Sequence, residues 1–161
     1  QAVAYSTSSS SATLPITIQC VQKNLGVSQS VSSSVLPLGA TINMDGTALY
    51  LGIVALFSAQ YFGIDLALSD YFLIALTVTL TSIGTAGIPS ASLFLLAAVL
   101  SVIGISDTQT ALIVGFIFPV DRVLDMARTV VNITGDATVS VIVAKSENEL
   151  DESTFRHEAV I

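Results

Sequence analysis

The residues with the most chemical potential lie on one helical stripe in the last third of the chain. The stripe combines three carboxylates with a guanidinium, a hydroxyl and an amide: Asp121, Asp125, Arg128, Thr129, Asn132 and Asp136. At about 100° of rotation per helical residue, these side chains share one face about 100° wide. The other faces are apolar, so the stripe predicts buried groups that bind a charged ligand or ions. The alternative is a salt-bridge network in which Asp125 pairs with Arg128 only to orient helices.

The residues needed for enzymatic chemistry are missing from the apolar part of the sequence. It holds no histidine that could act as a base beside a nucleophile, and we expect His157 to be a solvated residue of an acidic tail. Cys20 is the single cysteine, which excludes an internal disulfide, and we expect it to pack inside the protein. We therefore predict that the protein is not an enzyme and uses no organic cofactor.

The composition is typical of a membrane protein in contact with lipid. Of the 161 residues, 52% are hydrophobic and 11% charged, whereas about a quarter are charged in soluble domains. The mean hydropathy is +0.81. The net charge is −7, and the five Lys and Arg residues form no basic cluster, which excludes nucleic acid as a partner. Because the chain opens at Gln1 without a signal-like segment, we interpret it as a piece of a longer protein.

Two segments rich in small residues predict the tips of helical hairpins. Residues 6–15 are rich in hydroxyls and end at Pro15; they would form an ordinary linker in water, but beside apolar segments they also fit a re-entrant tip. Residues 82–92 separate two apolar arms, 71–81 and 93–103, which are each too short to span a bilayer. The near-equal lengths of these arms favour a hairpin that enters and returns on one side over a plain turn.

A third polar segment interrupts a predicted long helix. Residues 35–62 are long enough to cross a bilayer, but residues 39–47 place glycines, an amide and a carboxylate at mid-depth. Glycine weakens a helix and frees backbone groups, so we predict a broken helix whose carbonyls can hold ions. The alternative is that Asn43 and Asp45 only stabilise a kink. A polar connection over residues 23–34 is predicted to lead into this helix.

Together these segments predict an all-α membrane protein that forms part of a transport domain, with two re-entrant helical hairpins and two long transmembrane helices, at least one of them broken. The predicted boundaries are about 1–25 for hairpin 1, 31–62 for the broken helix, 70–104 for hairpin 2 and 108–145 for the final helix. Pro119 is expected to kink the final helix. Residues 146–161 are predicted to form an acidic, mobile tail. The alternation of hairpins and long helices is typical of transporters with internal repeats.

Four motifs in this order resemble the C-terminal transport core of the glutamate transporter family, the dicarboxylate/amino acid:cation symporters, in a prokaryotic-like form. The motifs are the Ser-rich run at 8–15, the sequence Asn43-Met44-Asp45-Gly46-Thr47, the Gly/Pro tip at 82–89 and the stripe at 125–136. The resemblance covers almost the whole chain. It implies sodium-coupled symport of an acidic amino acid, aspartate or glutamate, by an elevator-like movement of the transport domain.

The resemblance also implies a set of residues that bind the substrate. In it, Arg128 pairs with the side-chain carboxylate of the substrate, and Asp125 accepts hydrogen bonds from the amino group. The remaining polar groups hold the main-chain part of the substrate or close the pocket. The full implied set is Ser8, Ser10, Thr47, Ile88, Asp125, Arg128, Thr129 and Asn132. Asp121 and Arg122 are expected to be structural.

Sodium is the implied coupling ion, at three sites. The first uses Asp136 with backbone carbonyls near Gly39, Asn43 and Asn132. The second uses carbonyls at Thr41, Ser82, Ile83 and Thr85. The third combines Asn43 and Asp45 with groups of an upstream helix that is not in this chain.

The resemblance further implies a multi-pass protein of the plasma or inner membrane that forms a homotrimer through a scaffold domain absent from this chain. Ser90 and Ser92 depart from the family pattern at the second tip, where smaller or amide residues are frequent, and are expected to alter capping or substrate preference. Three alternatives remain: a neutral amino acid or dicarboxylate carrier, a substrate-gated anion channel or ligand sensor, and a membrane scaffold with buried ion pairs.

Overall fold

The computed structural model describes residues 1–156, and this part of the chain is helical apart from turns and one isolated bridge. The predicted all-α class is therefore confirmed. In chain order the helices are α1 Ala2–Thr7, α2 Ser10–Leu25, α3 Gln29–Ile42, α4 Asp45–Tyr61, α5 Leu68–Ser82, α6 Leu96–Ser101, α7 Asp107–Ser146 and α8 Glu152–Arg156. A short 3₁₀ helix, Ala91–Leu95, runs directly into α6.

The hydroxyl-rich run near the start forms a tight turn between two helices and is not an open linker. Ser8 has a left-handed backbone with a φ of 51° and ends α1. Ser9 is extended, and its side chain accepts a hydrogen bond from the backbone N–H of Ala12, which caps α2. Helices α1 and α2 pack against each other and against α7. We call Ser8 and Ser9, with Ser10 at the start of α2, tip 1.

The predicted interruption of the long helix lies at Asn43 and Met44. Helix α3 ends at Ile42 and α4 begins at Asp45, while the two residues between them leave the helical region with ψ values of 69° and 57°. We call these two residues the break. Together α3 and α4 form the one stretch among residues 1–156, Gln29–Tyr61, that is long and apolar enough to cross a membrane.

The predicted polar connection over residues 23–34 is wrong in extent, because only residues 26–28 lie between α2 and α3. Ser28 caps α3 by accepting a hydrogen bond from Val31 N–H at 3.2 Å. The serines that follow lie inside the helix, where their hydroxyls bond to carbonyls one turn earlier, as Ser34 Oγ does to Ser30 O at 3.1 Å. A run of serines is therefore compatible with helix once it is capped.

The second predicted hairpin consists of α5, an irregular segment over residues 83–90, and the arm formed by the 3₁₀ helix and α6. The two arms pack against each other and against α4. We call residues 83–92 tip 2. Ser90 has a left-handed backbone with a φ of 58°.

Helix α7 is the element on which the others assemble, since it contacts α1, α2, α3, α4 and α6. It begins with a capping box of Ser106 and Gln109 and continues without interruption through Pro119. Two apolar clusters flank its middle. One lies among α4, α5, α6 and the first third of α7, and the other among α2, α3 and the end of α7. The polar stripe lies between these clusters.

The segment after α7 is docked on the fold, which contradicts the expectation of a mobile tail as far as Arg156. Val27 and Leu150 form an antiparallel bridge, and Asp151 N–H donates to Gly26 O at 2.8 Å. Asp151 also accepts hydrogen bonds from Ser153 and Thr154, which lower the pKa of its carboxyl to about 2. The remainder of the predicted tail, residues 157–161 with His157, lies outside the described residues. Cys20, expected to pack, is exposed.

Candidate functional site

The polar stripe of α7 is buried along its whole length. Exposed fractions are 2% for Asp121 and Asp125, 6% for Arg128, 3% for Thr129 and Asp136, and 4% for Asn132. Arg122, which lies off the stripe, is exposed. Burying this many charged and polar groups is costly unless each has a partner. The partners come from α4, from the break and from tip 2.

The guanidinium of Arg128 has partners at all three of its nitrogens and on one face. Its Nε donates to Asp125 Oδ1 at 3.2 Å, Nη2 pairs with the same oxygen, and Nη1 donates to Ser92 Oγ. The ring of Tyr50 covers one face, with its centroid 4.7 Å from Cζ. The pair of Asp125 and Arg128 that the salt-bridge alternative requires is therefore present.

The acidic side chains of the stripe hold tip 2. Ser90 donates its backbone N–H to Asp125 Oδ2 and its hydroxyl to Asp121 Oδ2, both at 2.7 Å. Asp121 Oδ1 accepts the hydroxyl of Tyr50 at 3.2 Å. Asp121 thus links α7 to α4 and tip 2, which is the structural role expected for it.

A small enclosed pocket lies where the two tips, the break and α7 meet. All eight residues of the predicted substrate set line it: Ser8, Ser10, Thr47, Ile88, Asp125, Arg128, Thr129 and Asn132. The space open to the centre of a water molecule is about 10 Å³, enough for about one water. Ser8 Oγ is the one buried side-chain nitrogen or oxygen within residues 1–156 that has no hydrogen-bond partner. The pocket therefore contains a polar group that is free to bind a ligand.

The two tips contact each other directly above this pocket. Ser9 Oγ donates to Gly87 O at 2.6 Å, and Ser11 N–H donates to the same oxygen at 3.4 Å. A Cβ on Gly87 would lie 2.6 Å from Ser11 Oγ and 3.1 Å from Ala40 O, so a side chain there would require both groups to shift. Tip 2 therefore contacts tip 1 beside the pocket that both tips line.

The residues predicted for the first sodium site meet at the break. Asn43 Nδ2 donates to Asp136 Oδ1 at 3.1 Å, and Gly46 N–H donates to Asn132 Oδ1 at 2.8 Å. Gly39 lies so close that a Cβ there would be 2.5 Å from Asp136 Oδ1. Carboxylate, amide and free carbonyl oxygens are the ligands that hard cations prefer.

The residues predicted for the second site lie where the end of α3 meets the start of tip 2. Gly84 N–H donates to Thr41 O at 2.8 Å, and Thr85 N–H donates to Ser82 O at 3.1 Å. Ser82 and Thr85 are buried, whereas Thr41 and Ile83 are exposed. Within residues 1–156 no three acidic, histidine or cysteine side chains cluster, so a cation here would take backbone and hydroxyl oxygens.

Asp45, predicted for the third site, is exposed at the edge of the break. Its carboxylate packs over Gly135 of α7, where a Cβ would overlap it.

The sequence reasoning missed Tyr50 and Met44. Tyr50 lies on the same face of α4 as Thr47, three residues earlier, so helical spacing from Thr47 could have found it. The thioether of Met44 lies 3.2 Å from Asn132 Nδ2 and 3.8 Å from Thr47 Oγ1. No pattern in the sequence identified this contact.

Comparison with known proteins matches residues 1–146 to the model of the sodium:dicarboxylate symporter family. A Caenorhabditis elegans excitatory amino acid transporter is 46% identical over 149 residues, covering 92% of this chain and 29% of the relative. The mouse excitatory amino acid transporter 3 is 44% identical over 155 residues, covering 96% of this chain and 29% of the relative. The human excitatory amino acid transporter 2 is 42% identical over 155 residues, covering 96% of this chain and 26% of the relative.

The chain thus spans less than a third of the length of these relatives. All three are animal proteins, so they lend no support to the expected prokaryotic-like character.

Proposed function

The chain belongs to the sodium:dicarboxylate symporter family, and we propose that it forms most of the transport domain of a carrier that moves an acidic amino acid across a membrane together with sodium ions. The observation that carries the proposal is the buried pair of Asp125 and Arg128 in an enclosed pocket that also holds the unpartnered hydroxyl of Ser8. The guanidinium of Arg128 matches the side-chain carboxylate of an acidic amino acid, and the neighbouring carboxylate of Asp125 matches its ammonium group.

Within this proposal each polar group of the pocket has a role. Arg128 binds the side-chain carboxylate of the substrate, and Asp125 accepts from its ammonium group. Thr129 and Asn132 bind the main-chain groups, and Ser8 donates its free hydroxyl to the main-chain carboxylate. Ser10 and Thr47 complete the wall, and the backbone at Ile88 closes the pocket.

The size of the pocket supports a gated mechanism. With room for about one water, it cannot hold an amino acid while Arg128 is bonded to Asp125 and Ser92. Tip 2 opens to admit the substrate, Arg128 exchanges Ser92 for the carboxylate of the substrate, and the tip closes again. Tip 2 is the mobile candidate because its attachment to α7 is polar and short, whereas the arms on either side of it share an apolar cluster with α4.

Sodium binding is proposed at the break and at the base of tip 2. One ion is held by Asp136 with oxygens of Gly39, Asn43 and Asn132, and another by carbonyls of Thr41, Ser82, Ile83 and Thr85. Asn43 and Asp45 supply a third site with groups outside this chain. Because Thr41 O already accepts from Gly84 N–H, an ion there would couple the position of tip 2 to the end of α3.

The larger assembly is also part of the proposal. The two hairpins are re-entrant, α7 crosses the membrane with its stripe facing the protein, and the domain moves in an elevator-like manner against a scaffold outside this chain. That scaffold forms the homotrimer, in the plasma or inner membrane. The many large apolar side chains exposed on α4, α5 and α7, such as Leu49, Phe72 and Phe116, support burial against lipid or the scaffold.

The test is uptake of labelled aspartate by the full-length parent in liposomes with an inward sodium gradient. Arg128→Ala is expected to weaken aspartate binding by about 100-fold or more, because the side-chain carboxylate of the bound aspartate would be buried without its positively charged partner. Arg122→Ala is the matched control, an exposed arginine of the same helix, and should leave uptake unchanged. Unchanged aspartate affinity in Arg128→Ala contradicts the assignment.

Competition by serine and by succinate in the same assay separates the related possibilities. Effective competition by serine indicates a neutral amino acid carrier, and by succinate a dicarboxylate carrier. Currents without substrate flux indicate a channel, and binding without uptake a sensor. The presence of Asp125 beside Arg128 supports an amino acid over a plain dicarboxylate, because an ammonium group needs an acceptor.

A further inference from the structure

Two serines attach tip 2 to the charged stripe. Ser90 donates through both its backbone N–H and its hydroxyl, to Asp125 and Asp121 respectively, each at 2.7 Å. Ser92 is 1% exposed, and its hydroxyl accepts from Nη1 of Arg128. Three charged side chains of α7 are therefore bonded to a segment that must move when a substrate enters.

The backbone at Ser90 is held in a conformation that serine does not favour. Its φ of 58° lies in the left-handed region, which is strained for a residue with a Cβ. Hydrogen bonds to ionised acceptors are about twice as strong as neutral ones, so the two bonds to carboxylates offset this cost. Release of Ser90 would also relax the backbone, which makes this attachment easier to reverse.

Ser92 occupies the part of Arg128 that a substrate carboxylate needs. Nε and Nη2 face Asp125, and Tyr50 covers the guanidinium face, so Nη1 is the edge directed toward tip 2. The hydroxyl of Ser92 fills that edge without supplying a negative charge. A carboxylate is the stronger acceptor and can displace it, but only by breaking this bond.

We infer that Ser90 and Ser92 form a latch that closes tip 2 on α7, and that Ser92 competes with the substrate for Arg128. Ser92 is thus a specificity-determining residue that weakens binding of every ligand whose carboxylate needs Arg128. The competition rests on the proposed function, whereas the latch does not.

The experiment uses the full-length parent in nanodiscs and two measurements. The first is hydrogen–deuterium exchange of the tip 2 amides without sodium or substrate, for the wild type, Ser90→Ala and Ser92→Ala. The second is the aspartate Kd of the same proteins at saturating sodium. Ser101→Ala is the matched control, because that serine lies on the same arm, is exposed, and bonds only to Ala98 O within the hairpin arm.

Both serine variants are expected to exchange the tip 2 amides about 3- to 10-fold faster, which corresponds to loss of one hydrogen bond. Ser92→Ala is expected to tighten aspartate binding about 3- to 10-fold, because the empty site loses a bond that the occupied site does not contain. Ser101→Ala should change neither quantity. Exchange of the α4 amides in the same spectra reports whether each variant has kept its fold.

The outcomes separate the latch from the proposed function. Unchanged exchange at tip 2 in both variants overturns the latch. Equal or weaker aspartate binding by Ser92→Ala overturns the competition. Absence of sodium-dependent aspartate binding by the wild type refutes the proposed function and the competition with it, while the exchange data still decide the latch.

Discussion

At the residue scale, the formal charge of the stripe explains why a sodium-coupled site is physically reasonable. Three buried carboxylates and one buried guanidinium give a formal charge of −2, from 1 − 3. An acidic amino acid adds two carboxylates and one ammonium, which brings another −1. Charges of one sign are costly at low dielectric, so bound cations are needed to make substrate binding favourable. Coupling then follows because substrate and sodium each lower the cost of binding the other.

Asp136→Asn tests this argument at a stripe carboxylate that does not line the pocket. The amide is nearly isosteric but removes one negative charge, so we expect sodium affinity to fall at least about tenfold. Aspartate affinity at saturating sodium should change much less, because Asp136 does not line the pocket. A sodium titration of aspartate binding measures both quantities.

Asp65→Asn is the control for Asp136→Asn, since Asp65 is exposed on the loop after α4. Equal sodium affinity in wild type and Asp136→Asn would remove Asp136 from the proposed site.

At the same scale, the sequence predicted residue types better than residue contacts. Helical periodicity was sufficient to place Asp125, Arg128 and Asn132 on one face, because that relation depends only on 3.6 residues per turn. The bond between Arg128 and Ser92 joins residues 36 positions apart, so it depends on how tip 2 packs on α7. Periodicity carries no information about such a contact.

At the element scale, the break functions because α7 approaches it very closely. Gly135 allows this approach, since a Cβ there would overlap Asp45 Oδ2 and lie 2.9 Å from Asn43 Nδ2. Gly39 does the same from the other side against Asp136. These glycines allow α3 and the residues of the break to lie close to α7.

Gly135→Ala is therefore expected to reduce stability by about 1–3 kcal/mol through overpacking and to weaken sodium binding. Gly115→Ala is the matched control in the same helix, because nothing lies within 4 Å of the position of its Cβ. Alanine is a better helix former than glycine by about 1 kcal/mol, so this control should be neutral or stabilising. Thermal unfolding of the parent, with and without sodium, distinguishes the two. Equal melting temperatures for both variants would contradict the close approach.

A second feature at the element scale is the packing of the segment after α7 against the turn at Gly26. Gly26 has a φ of +70°, and a Cβ there would lie 2.5 Å from Asp151 O. The bridge between Val27 and Leu150 and the ion pair of Lys145 with Glu152 also hold this segment. The sequence suggested a mobile tail because acidic residues are abundant in it, but local composition does not reveal pairing with a turn more than 120 residues away.

Gly26→Ala is expected to undock the tail and to expose the chain after Lys145 to trypsin. Cleavage there should be at least about tenfold faster than in the wild type, because proteolysis follows the population of the open form. Gly104→Ala serves as the control, since Gly104 also has a positive φ but no neighbour within 4 Å. Equal cleavage rates in the two variants would show that the tail does not need the turn at Gly26.

At the scale of the whole molecule, the described residues surround the pocket on the stripe and leave large apolar side chains exposed on the outside. Asp45 is exposed beside Gly135, and side chains such as Phe94 and Leu68 are 86% and 73% exposed. The chain spans less than a third of its relatives. The order of hairpin, broken helix, hairpin and long helix was predictable, since each element has its own composition and length. The position of tip 2 over the stripe was not, because it depends on contacts between all four.

The central claim is that substrate and sodium bind to one coupled site on the stripe of α7. The most direct measurement is the aspartate Kd of the full-length parent as a function of sodium concentration, with potassium replacing sodium at constant ionic strength. With one coupled ion, and below saturation, the Kd should fall about tenfold for each tenfold rise in sodium concentration. Each further coupled ion should add another factor of about ten. An aspartate Kd that does not change with sodium would contradict the claim.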